Sequence, residues 1–396
     1  MDASPLPIIT FPPSASPRVS ILIPTTSRAD RLQRCLEALR ENISTDISYE
    51  VVLMLNAAQQ DVVDFAQNCV RGVVIARSSV NLGVAGGNNR ARKHASGEFL
   101  VLLHDDTEVR SGWLESLVEV ADRHPEAGIV GSRIFNPDGT LQAEGWVLWQ
   151  NAQTTPPWGD GPPEASRSDD LRAVDYTPTC SLLARASTWD AVGGLDENIY
   201  PAYFVDVDFC LTVRSHGWTV LCQPRSQLMH HRGSSSKREF REFMALRNRE
   251  YFVKKWSHVL ASQLPFPESQ NSSTGLIEAQ NLTDSIARDI ASTWKKTLPA
   301  PPSSSATISD AEHDLAHLQR QFELTSSFST LLQKRMEQTL QKTQSRIKAK
   351  TAEARRWRRL ASNLKTQLRD IKKTRSWRWR NRLIKFGRRI RHLLGQ

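Results

Sequence analysis

The chain has 396 residues, 39% of them hydrophobic and 24% charged, a composition of soluble globular proteins that excludes collagenous, low-complexity and wholly disordered classes. No apolar run approaches the roughly 18 residues of a membrane span, the opening MDASPLPIITFPPSASP lacks the basic-then-apolar order of a secretory signal, and five cysteines without a CxxC pair do not suit a disulfide framework, so a cytoplasmic protein is expected. The net charge of +10 is uneven: Leu331 to Gln396 holds 22 Lys+Arg against 3 Asp+Glu, whereas the other residues hold 30 against 39.

Taken in order, apolar β-branched runs alternate with helical patterns. VSILIP (19–24) predicts a strand, and ADRLQRCLEALREN (29–42), with Leu32, Leu36 and Leu39 on one face, a helix. EVVLML (50–55), GVVIA (72–76) and EFLVLL (98–103) predict further strands, interleaved with helices over 61–70 and 88–95. A helix over 113–124, a strand over 128–135 and an NPDG turn (136–139) follow. Residues 150–172, rich in Pro, Gly, Ser and Asp, predict a mobile loop, and helices are expected over 206–216 and 237–260. This spacing predicts an α/β fold with a doubly wound, mostly parallel sheet, whose ligands bind beyond the carboxyl ends of the strands. The expected divisions are a disordered segment to residue 17, the α/β domain over 18–260, a linker over 261–307, a long helix or coiled coil over 308–373, and a basic amphipathic tail over 374–396.

LLHDDTEV (102–109) places two adjacent carboxylates directly after an apolar strand. Adjacent acids repel, so the pair reads either as a strand-to-turn signal or as a cation site. PTTSR (24–28), the Gly/Asn-rich NLGVAGGNN (81–89), VGGLDE (192–197), FVDVDF (204–209) and LMHHRG (228–233) accompany it. In this order the motifs resemble glycosyltransferase family 2, with its GT-A type fold, and most of all its bacterial rhamnosyltransferase-like branch. The likeness covers roughly residues 19–256.

The resemblance implies an inverting transferase that uses a nucleotide-sugar donor, a divalent cation (Mn²⁺ or Mg²⁺) and a glycan or lipid-linked glycan acceptor. HDD (104–106) occupies the place of the family's DxD motif, making Asp106 a metal ligand beside Asp105. His230 or His231 matches a histidine that completes the metal shell, with His230 preferred. Asp206 matches the general base. Thr25, Arg28, Asn56, Asn81, Gly83, Asn89 and Asp105 fall on the donor side, and Asp196, Glu197 and Asp208 on the acceptor side. Three positions depart from the pattern. Leu55 replaces an acid that contacts the nucleobase, His104 takes the first DxD position, and Val205 stands where a Glu usually precedes Asp206. These departures leave a catalytically degenerate scaffold as the first alternative.

The tail SWRWRNRLIKFGRRIRHLL (376–394) spaces Trp379, Leu383, Phe386, Ile390 and Leu393 along one helical face among arginines. It predicts attachment to an anionic membrane surface, at the inner face of the plasma membrane. The helical segment before it offers a seam for self-association. Nucleic-acid binding through the basic tail is the less favoured alternative.

Overall fold

The computed structural model describes residues 8–157, 169–232, 237–267, 273–294, 309–373, 380–382 and 384–385. In chain order these form β1 (Ile9–Thr10), β2 (Val19–Thr25), α1 (Ala29–Asn42), β3 (Tyr49–Asn56), α2 (Gln60–Cys69), β4 (Val70–Arg71), β5 (Val74–Ser78), α3 (Gly83–Arg92), β6 (Phe99–Leu103), β7 (Thr107–Val109) and α4 (Trp113–Arg123). There follow β8 (Ala127–Phe135), β9 (Leu141–Ala143), β10 (Val147–Leu148), β11 (Thr154–Thr155), β12 (Arg172–Ala173), β13 (Ser181–Arg185), α5 (Ala186–Val192), α6 (Val205–Ser215) and β14 (Thr219–His230). The chain continues with α7 (Arg238–Lys255), α8 (Ser257–Leu260), α9 (Ser273–Thr293) and α10 (Asp310–Lys373).

One ten-stranded sheet runs in the order β12-β14-β8-β13-β6-β2-β3-β5, with β7 and β9 joined to β14 and β8. The pairs β6–β2, β2–β3, β3–β5 and β8–β14 are parallel, and β13 is antiparallel to both its neighbours. Alternate residues of one strand feed two cores. Ile21, Val51, Val101 and Leu103 pack with Leu32, Leu36 and Trp113 from α1 and α4, whereas Leu22, Val52, Leu100 and Leu102 pack with Ala85, Phe209 and Val213 from α3 and α6. Burial on both faces explains why these strands read as unbroken apolar runs rather than as alternating ones.

Several expectations need correction. The Gly/Asn run is not a loop: α3 starts at Gly83, five residues ahead of the expected 88. Its first turn is held from outside, because Asn81 Oδ1 accepts the Gly83 N–H at 2.8 Å and the Pro201 carbonyl accepts the Val84 N–H at 2.7 Å. The expected mobile loop contains β11, paired with β10, and the start of β12 at Arg172; residues 158–168 lie outside the described residues. The expected linker contains α9, whose Thr283 hydroxyl donates to Asp175 Oδ1 (3.0 Å) and whose Gln280 amide donates to the Ala173 carbonyl (2.8 Å). Ser/Asn/Gln content concealed a helix because its apolar anchors, such as Ala279, are few. The compact unit likewise extends to Leu324, well past residue 260, and Thr325–Gln396 form a second unit. Trp379, Leu383, Phe386, Ile390 and Leu393 lie outside the described residues. No described helix is long and apolar enough to cross a membrane.

A buried polar chain ties four elements together beneath the site. Trp113 Nε1–H donates to Ser181 Oγ (2.9 Å), Ser181 and Ser132 hydroxyls meet at 2.7 Å, Ser132 and Ser226 at 2.8 Å, and Ser226 donates to the Trp113 carbonyl at 2.9 Å. Every donor in it has a use. Ser132→Ala opens the chain and leaves the buried Ser181 hydroxyl hydrogen without its acceptor, so stability is expected to fall by about 1–3 kcal/mol. The urea midpoint, with an unchanged m-value, measures this.

Candidate active site

The carboxyl ends of β2, β3, β6 and β14 converge at one side of the sheet. At the end of β6 the chain turns sharply: Thr107 Oγ1 donates back to the His104 carbonyl at 2.7 Å, which places His104, Asp105 and Asp106 in the turn. β7 then pairs antiparallel with β14, with His230 opposite Thr107, and so brings the end of β14 against the acids.

The two acids have different partners. Asp105 Oδ2 accepts from Thr25 Oγ1 at 2.6 Å. Burial, reinforced by the neighbouring Asp106 charge, pushes Asp105 up to about 6 despite that hydrogen bond. Asp106 is 8% exposed, and its Oδ1 lies 3.2 Å from His230 Nε2. His230 Nδ1 lies 2.7 Å from Gln142 Oε1. The Gln142 amide nitrogen donates to Asn136 Oδ1 (2.8 Å) and to the His230 carbonyl (3.1 Å), so Oε1 is the acceptor and His230 carries a hydrogen on Nδ1. Nε2 is thereby directed at Asp106. Burial opposes charge on His230, but the Cys180 sulfur and Asp106 outweigh it and raise the ring to about 10.

His104 joins this pair. Its ring lies 5.6 Å from that of His230, and its Nε2 is buried without a hydrogen-bond partner. Burial holds it down to about 4, so the ring is neutral and its lone pair is available. The ligating atoms of His104, Asp106 and His230 all lie within 4.8 Å of one another. One neutral imidazole with an orphaned nitrogen, a second imidazole that would give up its Nε2 proton on ligation, and one carboxylate fit a divalent cation. The position read from sequence as a loss is thus geometrically a gain. The alternative His231 is directed elsewhere, with its Nε2 2.7 Å from Glu108 Oε1.

The donor-side expectations divide. Asn56, 3% exposed, spends its amide on the loop before α3, accepting the Leu82 N–H at 2.7 Å and donating to the Gly83 carbonyl at 3.2 Å. Asn81 Oδ1 is likewise spent on the Gly83 N–H. Gly83 has φ +69°, and a Cβ there would meet the Pro201 carbonyl oxygen at 2.7 Å, so only glycine fits. Arg28 does not join the cluster: it is exposed and bidentate to Asp30 at 2.8 Å. Asn89 also lies apart from the acids, with its amide holding the 195–197 turn through the Leu195 carbonyl (2.9 Å) and Glu197 Oε1 (2.8 Å).

Three of the four further carboxylates are bound to cations or imidazoles. Asp196 meets Lys255 Nζ at 2.7 Å, Asp208 meets the same amine at 2.8 Å and Trp256 Nε1 at 2.7 Å, and Glu197 meets His313 and His317 at 2.7 Å each. Asp206 differs. Among the described contacts it accepts one backbone N–H, from Val207 at 3.0 Å, and it remains partly open to solvent. Burial pushes it up to about 6, with that hydrogen bond pulling the other way. The turn before it, with Tyr203 and Phe204 at φ 68° and 66°, carries backbone strain that sets Asp206 at the start of α6. Gln142 and His104 escaped sequence reasoning. No local pattern marks Gln142, whereas His104 stood in plain view at the first DxD position.

Residues 20–191 match the sequence model of the family Glycosyl transferase family 2. Three relatives illustrate the similarity. An uncharacterized protein, y4gI of Sinorhizobium fredii, is 28% identical over 242 residues, covering 58% of this chain and 26% of that protein. The O-antigen biosynthesis protein RfbC of Myxococcus xanthus is 29% identical over 246 residues, 59% of this chain and 19% of that protein. The N-acetylglucosaminyl-diphospho-decaprenol L-rhamnosyltransferase of Mycobacterium tuberculosis is 25% identical over 251 residues, 58% of this chain and 81% of that protein. The matched part of the chain therefore spans about a quarter of the first relative and about a fifth of the second. Sheet topology, the acids at the strand end and the match over residues 20–191 agree that this part of the chain is similar to Glycosyl transferase family 2.

Proposed function

We propose that this chain is an inverting, metal-dependent glycosyltransferase that moves a sugar from a nucleotide-sugar donor onto a growing bacterial surface glycan, with a lipid-linked glycan as acceptor. The observation that carries it is the meeting of His104, Asp106 and His230 at the carboxyl ends of the strands, beside Asp105 fixed by Thr25. The relatives named for O-antigen biosynthesis and rhamnosyl transfer support the substrate class.

A cation held by His104, Asp106 and His230 would neutralise charge developing on the departing nucleoside diphosphate. Two imidazoles in the ligand set favour Mn²⁺ over Mg²⁺, because magnesium prefers oxygen ligands and retains its waters. Asp105, held by Thr25, faces the donor ribose and diphosphate. Asp206 takes the proton of the acceptor hydroxyl; as a lone base it suits a single displacement with inversion. Its upward shift strengthens it as a base while leaving it ionised at neutral pH. Asp196 and Asp208 act through Lys255 to fix α6, which carries Asp206, to α7. The basic tail holds the enzyme at the inner face of the plasma membrane, near a lipid-linked acceptor.

Asp106→Ala is expected to abolish Mn²⁺-dependent binding of nucleoside diphosphates while leaving the melting curve near that of wild type. Isothermal titration with UDP, dTDP and GDP in Mn²⁺ tests this, and wild-type affinity in the variant would remove Asp106 from the site.

Asp206→Asn is expected to leave that binding unchanged and to cut transfer by roughly 10² to 10⁴. Because the ionised form is the active base, kcat/KM at saturating Mn²⁺ should rise with pH through about 6 and then level. Stability moves oppositely. With the folded value above the ordinary 3.8, the Asp206 contribution is greatest below the unfolded value and is lost as pH rises through about 6. A pH profile that keeps its acidic limb in Asp206→Asn would assign the base elsewhere.

Deleting residues 376–396 is expected to release the protein from anionic vesicles, and intact protein should detach as salt rises and the screening length falls from about 10 Å to about 3 Å. Equal pelleting of intact and truncated protein would exclude a membrane role for the tail.

A further inference from the structure

The start of α10 enters the compact unit and closes around Glu197. His313 Nε2 and His317 Nε2 each approach Glu197 Oε2 at 2.7 Å, Arg320 Nη1 lies 3.5 Å from the same oxygen, and Asn89 from α3 donates to Oε1 at 2.8 Å. His317 is fully buried. Histidines four residues apart on one helix, with a carboxylate, suggest a cation site at first sight. The hydrogens argue otherwise. Arg90 Nη2 lies 2.8 Å from His313 Nδ1, and a guanidinium can only donate, so His313 carries its hydrogen on Nε2 and donates it to Glu197. His317 Nε2, at 2.7 Å from the same oxygen, is also approached by Arg320 Nη1 at 3.1 Å, and its Nδ1 is without a hydrogen-bond partner, so the donor assignment holds for His313; through it the cluster binds Glu197 as a hydrogen-bonded latch.

The latch has a second anchor on α3. Arg90, 2% exposed, lies 2.9 Å from Asp314 and 3.3 Å from Asp310, and Lys93 meets Asp310 at 3.0 Å. Gly86 makes the room: a Cβ there would stand 2.8 Å from the His317 ring. On the other side the Tyr200 ring is 5.6 Å from that of His317, and Leu324 packs with Tyr200 and Met244. One helix therefore grips both α3 and the 193–204 segment, which runs directly into Asp206.

We propose that His313 and His317 are positioning residues of the transferase: by holding Glu197 they clamp α3, which the family resemblance puts on the donor side, to the segment that delivers the base. The proposal rests on the assignment of α3 and Asp206 to the two substrates, although the clamp itself can be observed without either. Neither histidine need touch donor or acceptor; both act through Glu197.

Hydrogen exchange by mass spectrometry on the full-length protein tests it, with no nucleotide or metal added. In His313→Ala/His317→Ala, exchange over 83–92 and 193–204 should rise roughly tenfold while β2 and β6 keep wild-type protection, which also shows that the variant is folded. In His313→Gln/His317→Gln, where the side-chain amide nitrogen can donate to the same carboxylate, both segments should stay within about twofold of wild type. Faster exchange confined to 309–324, or glutamine behaving like alanine, would overturn the clamp. A wild-type protein with no Mn²⁺-dependent nucleotide binding would instead refute the transferase assignment and leave the clamp intact.

Discussion

The site depends on the confinement of β6. Its five residues are wholly buried, bonded to β2 on one edge and β13 on the other, and feed two separate cores from opposite faces. A slip of one residue would exchange the two apolar sets, so the register admits no drift. The end of the strand, and with it the position of Asp105 and Asp106, is therefore set by packing far larger in energy than the repulsion between the acids. That repulsion is met locally. Thr25 binds one acid and His230 faces the other, while the shortage of water raises Asp105 to about 6. A divalent cation is the completion we propose for such a place.

Around this centre the polar groups sort by how fully they are used. Asp196, Glu197 and Asp208 were grouped by resemblance as acceptor-side residues, yet each is bound by lysine, tryptophan or histidine within the protein. They hold elements together. Asp206, three residues after the 203 turn, is held by backbone hydrogen bonds alone, which is what fits it for the base role proposed above. Carboxylates that look alike in sequence thus differ in what each has already bound.

Much of this was legible in the sequence, for identifiable reasons. Strands buried on both faces announce themselves as runs such as FLVLL, and acids just after such a run stand at a strand's carboxyl end, so the sheet and the Asp105–Asp106 pair were readable. Groups defined by distant contacts were not. Asn56 and Asn89 read as donor-side residues, but their partners lie in other segments, 26 residues away for Asn56 and Leu82 and 108 for Asn89 and Glu197. Gly86 has no marked role in the sequence, and in the fold it makes room for His317. The first turns of α10 read as a helical seam because Leu315, Leu318 and Phe322 recur at 3- and 4-residue steps, yet these stay exposed and the residues that dock the helix, His313, His317 and Leu324, interleave with them. His104 reads in sequence as a departure from the DxD pattern, and only the fold sets its buried Nε2 beside Asp106 and His230.

The most direct test of the central assignment is a crystal of the full-length protein grown with Mn²⁺ and recorded at the manganese absorption edge. A single strong anomalous peak within bonding distance of His104 Nε2, Asp106 and His230 Nε2, and its weakening in His104→Ala, is the result expected of this site. Manganese bound elsewhere, or bound at Asp106 with both imidazoles turned away, would contradict it.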